Sequence, residues 1–332
     1  MRNRHIYIEE VKEKNFNAGF KARNDCDTIL EACGYELLAL PLPKPTFWNR
    51  LLRMLYIFRV AFSLRKAEKC FIQYPLYSYQ KIPIFWHFAF KFFSGRLEIL
   101  IHDIEGLRFA NEIDSNLCYL LKRSDKIIVH TPRMKEIVKN TIKLNDSHMS
   151  VLYLFDYLTT ENAQPANVSG NTIVFAGNLA KSAFLSKIDQ LPLSVSFNLY
   201  GVYHNSIKEG PNCTYKGKFS PENISFIEGN WGLVWDGDQL ETCHGKLGEY
   251  LRINSSHKIS LYIAACKPVI VWKESSISNF IISNHLGIAV SSLYEIPERL
   301  ADLSAEEKME IENSVNRFSK KIKNGEMLKA CI

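Results

Sequence analysis

Short apolar runs alternate with segments of helical period along most of this chain. His5 to Ile8 reads as a strand, and a loop through Asn17-Ala18-Gly19 opens a helix from about Phe20 to Cys33, with Gly34 placed as its C-cap. Glu36 to Pro41 is strand-like, 46–66 is helical, and Cys70 to Pro75 is a buried strand. A helix over about 82–94 leads to a strand at Leu97 to His102. A helix near 114–123 precedes a strand at Lys126 to His130; Pro132 begins another helix through about Asn140, and Ser150 to Leu154 is a strand. Such alternation predicts a doubly wound parallel sheet.

Residues 159–170 are small and polar, with little apolar periodicity, and read as a linker. The alternation then restarts with strand Thr172 to Ala176, a helix near 181–188 and strand Ser194 to Tyr200. Gly232 to Trp235 is an apolar run ending in Asp236-Gly237-Asp238, as a buried parallel strand ends at a ligand site. A polar loop follows; then Asn254-Ser255-Ser256 caps a helix with His257 and Lys258 in its first turn, and Pro268 to Trp272 is a second buried strand. These elements give an α/β chain of two Rossmann-like domains: 1–158, a linker at 159–170, 171–304, and a charged C-terminal helix in 305–332 placed to return towards the first domain.

Composition narrows the class only a little. The chain is long enough for two well-filled cores. Its eight cysteines are scattered without Cys-x-x-Cys or metal-ligand spacing, as in a reduced, cytoplasmic protein. No signal peptide is visible and no apolar run reaches membrane-span length. The net charge of +6 says less than its placement: residues 47–66 hold five arginines and lysines and no acid. Two readings stand for this segment, an amphipathic helix lying on an anionic membrane and a core helix whose arginines snorkel. The aromatic run over 82–96 lacks a clean polar face and reads as core. No basic stripe with interleaved aromatics points to nucleic acid.

The candidate chemistry gathers where strands end. Lys258 on a helix N-terminus, with the amides of Ile259 and Ser260 and neighbouring His257, reads as a diphosphate clamp. Gly177-Asn178 follows a strand, and Lys181 lies within reach of the same loop; Gly201 occupies the equivalent loop after the next strand. Lys21 and Arg23 are either phosphate contacts or solvated helix charges. His102-Asp103-Ile104-Glu105 follows an apolar strand, so its side chains emerge at a strand end, where Asp103 can be a base or a loop cap. Asp236 and Asp238 have the spacing of a metal-binding pair, but a lysine already supplies positive charge there, and sugar-hydroxyl contacts or acceptor positioning, with Glu241 nearby, are the preferred readings.

Val234-Trp235-Asp236-Gly237-Asp238, Gly248-Glu249-Tyr250-Leu251 and His257-Lys258-Ile259-Ser260-Leu261-Tyr262 resemble a bacterial beta-1,6-galactofuranosyltransferase family of O-antigen assembly. Asn17 to Arg23, Leu100 to Arg108, Phe155 to Leu158 and Phe175 to Leu179 resemble further blocks of that family in its order. The chain is more distantly similar to the streptococcal glucosyltransferase that extends adhesin glycans. The resemblance implies a GT-B fold with a cleft between the domains. It also implies a cytoplasmic enzyme, peripheral to the inner face of the membrane, that transfers from UDP-galactofuranose to a polyprenyl-linked glycan. Inversion without metal or cofactor is implied, with Asp103 as base, Glu105 second and His102 orienting. The nucleotide-sugar would meet Gly177, Asn178, Lys181, Gly201, Asp236, Asp238, His257, Lys258, Ile259, Ser260 and, from the first domain, Ala18 and Gly19. A homo-oligomer is compatible with the sequence. The alternatives are a UDP-glucose or UDP-galactopyranose transferase and a non-catalytic partner of the same fold.

Overall fold

The computed structural model describes residues 4–10, 18–40, 47–76, 87–109, 112–207 and 209–332. They form two compact units, each built on a six-stranded, wholly parallel sheet. This is the two-domain GT-B architecture. The chain passes from one unit to the other between Leu152 and Tyr153; the start of helix Ala18–Ala32, up to Asp25, groups with the second unit and Lys329–Ile332 with the first.

In the first unit the sheet order is β2-β1-β3-β4-β5-β6, with β1 Arg4–Glu10, β2 Tyr35–Leu40, β3 Ala67–Tyr74, β4 Arg96–Ile101, β5 Lys126–Val129 and β6 Met149–Val151. Its β3 and β4 are almost wholly buried, as strands covered by helices on both faces must be. Ala18 and Gly19, expected in a loop, form the first turn of their helix, where alanine's high propensity offsets the glycine; their side-chain surroundings lie outside the described residues. Of the helix expected over 82–94, residues 82–86 lie outside the described residues too, and the described remainder is helical only at its start. That start is a short helical turn at 87–89, with Ala89, Phe90 and Phe93 buried and Phe92 exposed.

The second sheet runs β12-β11-β10-β7-β8-β9, with β7 Thr172–Ala176, β8 Ser196–Tyr200, β9 Cys213–Gly217, β10 Trp231–Val234, β11 Val269–Trp272 and β12 Gly287–Val290. Counted from β7, this is the doubly wound order 3-2-1-4-5-6, which reverses direction between β7 and β10. Outside the carboxyl ends of those two neighbours a crevice is left for a ligand. Helix His257–Ala264 packs over it: Tyr262 lays its ring on Gly232, where any Cβ would stand 2.2 Å from the ring, and its hydroxyl accepts the Ala176 amide at 2.8 Å. Burial holds that phenol well above its usual pKa, so it stays neutral.

The 181–188 segment is 3-10 rather than α-helical, over Leu179–Lys181 and Ala183–Gln190. Asn178 accepts the Lys181 amide and tightens the turn. Residues 159–170 contain neither helix nor strand, yet Ala166 and Val168 donate their amides to Asn316 and Glu312 of helix Ala305–Lys323. That helix opens with a Ser304–Glu307 capping box and packs on helix His257–Ala264. No helix among the described residues is long and apolar enough to cross a membrane.

Replacing Tyr262 by Phe leaves the buried Ala176 amide without its acceptor. We expect a loss of about 1–3 kcal/mol in urea unfolding, because an unsatisfied buried donor forfeits its solvation; unchanged stability would show that this tie carries nothing.

Candidate functional site

Lys258 lies where the topology leaves its crevice. It is the second residue of helix His257–Ala264, and the Ser256 hydroxyl caps that helix by accepting the Lys258 amide. Its side chain runs across Gly177, where an added Cβ would sit 3.1 Å from Cε, and its ammonium rests 4.6 Å from the Phe175 ring centroid. Nζ meets the Asp236 carboxylate at 3.1 Å and the Trp235 carbonyl at 3.5 Å. The cation therefore spans the carboxyl ends of β7 and β10, with both charged side chains largely buried. Asp236 is in the first place Lys258's counter-ion, which holds the ammonium over the strand ends.

The other expected residues divide. Gly177 and Gly201 do come together: Gly177 donates to Tyr200, and a Cβ on Gly201, at φ +150°, would meet the Gly177 carbonyl at 2.1 Å. Asn178 and Lys181 sit on the same loop, both exposed. Asp238 points away, 3.6 Å from His244 and exposed, while its carbonyl accepts from Lys187. The Ile259 amide is spent on the Ser256 carbonyl, and the Ile259 and Ser260 side chains are buried, so any anion contact from this turn falls to Lys258. His257 is packed between aromatic rings, stacked on Tyr157 and edge-on to Phe155. Among the described residues no three histidine, cysteine or acidic side chains gather as a metal site. Buried Cys243 has its thiol pushed well above the usual range by desolvation, which makes it a poor nucleophile.

Lys21 is neither a solvated charge nor a surface phosphate contact. It is buried in the second unit, ion-paired to Asp25 at 2.9 Å and to Glu222 at 2.9 Å, donates to the Leu158 carbonyl and lies over the Tyr157 ring. Arg23 is buried as well. Sequence reasoning missed this cluster because its members, Asp25, Leu158 and Glu222, are far apart along the chain.

The first unit carries a second polar group at the ends of β3 and β4. Asp103 pairs with Arg108 at 2.8 Å, and Glu105 is exposed at the start of helix Glu105–Phe109. His102 Nε2 lies 2.7 Å from Gln73 Oε1, and Gln73 donates through Nε2 to Asp27 at 2.5 Å. Gln73 thus offers its oxygen to the imidazole, which places a proton on His102 Nε2. This Asp27–Gln73–His102 relay was hidden in the sequence; a glutamine inside an otherwise apolar strand is the one signal that pointed to it. Nearby His130 is buried, bonded to the Ile101 carbonyl and kept neutral by desolvation, its pKa lowered to about 4.

Family models for the N- and C-terminal domains described as "Glucosyltransferase 3-like" match residues 5–141 and 173–332. The chain belongs to the glucosyltransferase 3-like family. It is 29% identical over 329 residues to the beta-1,6-galactofuranosyltransferase WbbI of Escherichia coli (strain K12), covering 96% of this chain and 94% of that one. Glucosyltransferase 3 of Streptococcus parasanguinis is 25% identical over 243 residues, 71% of this chain and 68% of that one. An alpha-glucosyltransferase solved with UDP-glucose and DNA aligns at TM-score 0.57 with 11% identity, over 98% of this chain and 97% of that one, a likeness of fold. The chain is a glycosyltransferase of the GT-B type.

Asp25 makes the Lys21 cluster pH-sensitive. Burial raises its pKa from 3.8 to about 6, against the lowering pull of Lys21. An acid raised in this way binds a proton on folding, so its contribution to stability is largest below about pH 4 and is lost as pH rises through about 6. Relative to the parent, Asp25→Asn is expected to gain up to about 3 kcal/mol between those limits in urea titrations at stepped pH. A stability difference that stays flat with pH would contradict this.

Proposed function

We propose that this glycosyltransferase moves galactofuranose from UDP-galactofuranose to a polyprenyl-linked glycan presented at the inner face of the cytoplasmic membrane, with inversion at the anomeric carbon. The observation that carries the reading is the Lys258 ammonium at the β7/β10 switch point, on a helix N-terminus and over the Gly177 backbone. A diphosphate has there a cation, a positive helix end and a backbone free of side-chain bulk. The full-length similarity to WbbI supports the furanose donor, and the UDP-bound relatives of like fold support the nucleotide.

In the reaction the acceptor oxygen attacks C1 of the sugar as the bond from C1 to the β-phosphate oxygen breaks. The electron pair leaves with UDP, and Lys258 stabilises the charge that grows on the diphosphate. For that, the ammonium exchanges part of its contact with Asp236 for the phosphate. Asp103 takes the acceptor proton, and Arg108, paired with it at 2.8 Å, fixes the carboxylate's direction. His102, held by Gln73 through Nε2, is the competing candidate base. Catalysis needs no metal in this scheme.

Two measurements test the proposal. With UDP-galactofuranose, UDP-glucose and UDP-galactopyranose compared on one lipid-linked acceptor, kcat/KM for the furanose donor should exceed the others by about tenfold or more. A preference for UDP-glucose would assign the chain the activity named for its streptococcal relatives. In single-turnover assays Asp103→Asn should lower the rate about 10²–10⁴-fold, the range for loss of a general base. An unaltered rate for Asp103→Asn beside a collapsed rate for His102→Asn would move the role to the histidine.

A further inference from the structure

Helix Phe47–Leu64 has two unlike faces. Ile57, Val60, Ala61 and Leu64 are buried against the first unit. Its outward face is not polar: Leu52, Leu55, Phe58 and Phe62 are 47%, 61%, 54% and 63% exposed. At 100° per residue they share one side of the helix with exposed Arg59, and Arg65 and Lys66, in the turn that follows the helix, are exposed as well. Phe92, 57% exposed, extends the apolar surface, and Lys91 beside it is exposed too. The cations ride on these rings, Lys66 over Phe62, Arg65 and Lys91 over Phe92, all within 6.0 Å of the centroids.

The charge around this face is one-sided. Between Leu37 and Leu97 the chain has ten lysines and arginines and a single acid, Glu68, an excess larger than the net +6 of the whole chain. The remainder is therefore net acidic, and the basic charge is concentrated on the segment that exposes the apolar helix face.

We infer that this face of the first unit docks on an anionic lipid surface, with Leu55, Phe58 and Phe62 entering the headgroup–acyl boundary and the flanking arginines and lysines meeting lipid phosphates. Leucine and phenylalanine supply insertion, and each basic residue near an anionic leaflet adds attraction that salt screens. A second copy of the chain is a poor occupant, because it would bring the same uncompensated positive charge to the contact. An ordinary soluble surface does not set an apolar stripe inside a basic field with a single acid. The inference deepens the lipid-linked acceptor reading, on which its biological sense rests. Its experiment involves no sugar transfer, so either can fail alone.

The experiment is co-sedimentation of the full chain with phosphatidylcholine vesicles, with and without phosphatidylglycerol, at low and high salt. Binding is expected only to the anionic vesicles and should weaken as salt rises. The combined change Arg59→Glu, Arg65→Glu and Lys66→Glu should cut it about tenfold or more. Leu55→Ser with Phe62→Ser should cut it comparably, while Leu193→Ser, an exposed apolar site of the second unit, should leave it unchanged. All substituted positions are exposed, and circular dichroism confirms that each variant is folded. Equal binding to neutral vesicles, or charge-reversed protein that binds like the parent, would overturn the inference. So would self-association abolished by Phe62→Ser in a protein that ignores vesicles, which would assign the face to a second copy.

Discussion

Lys258 and Asp236 form the contact around which the second unit's function is organised. A lysine in a helix's first turn is disfavoured by the helix dipole, and a largely buried ammonium needs a partner. Asp236 at the end of β10 supplies one, and the Phe175 face adds a second attraction. The sheet reverses its winding between β7 and β10, and the carboxyl ends of both strands lie against this helix terminus. Tyr262 then fixes how the helix lies, and Gly232 makes room for its ring.

The first unit is organised differently. Its strand ends carry one ion pair, Asp103 with Arg108, and one relay, Asp27–Gln73–His102, with no lysine among these groups. The positive charge of the first unit lies instead on helix Phe47–Leu64 and its surroundings, where it has nothing to do with strand ends.

Much of this was legible because parallel sheets write themselves plainly. Buried strands are continuous apolar runs, and a glycine or a change to acids marks where each meets its loop; β7, β10 and β11 were recognisable within a residue or two. The capped start of helix His257–Ala264 was equally clear from Ser256. What escaped depended on distant partners. Helix Gly245–Tyr250, read as polar loop, contains two glycines and forms because Tyr250 is buried and Gly248 packs on Cys243. Lys21 read as a phosphate contact or a solvated charge, and its burial against Glu222 and Leu158 had no local signal. The pairing of Asp236 with Lys258 was not legible, because the two lie 22 residues apart and nothing local announced it.

The central claim is that Lys258, at the β7/β10 switch point, holds the donor's diphosphate. Calorimetric titration of UDP in EDTA, into the parent chain and Lys258→Ala, tests it most directly. The account predicts binding by the parent without metal and a loss of about tenfold to a hundredfold in the variant, the worth of a charge-assisted contact. Equal affinity in both proteins, or parental binding that appears only when magnesium or manganese is restored, would contradict it.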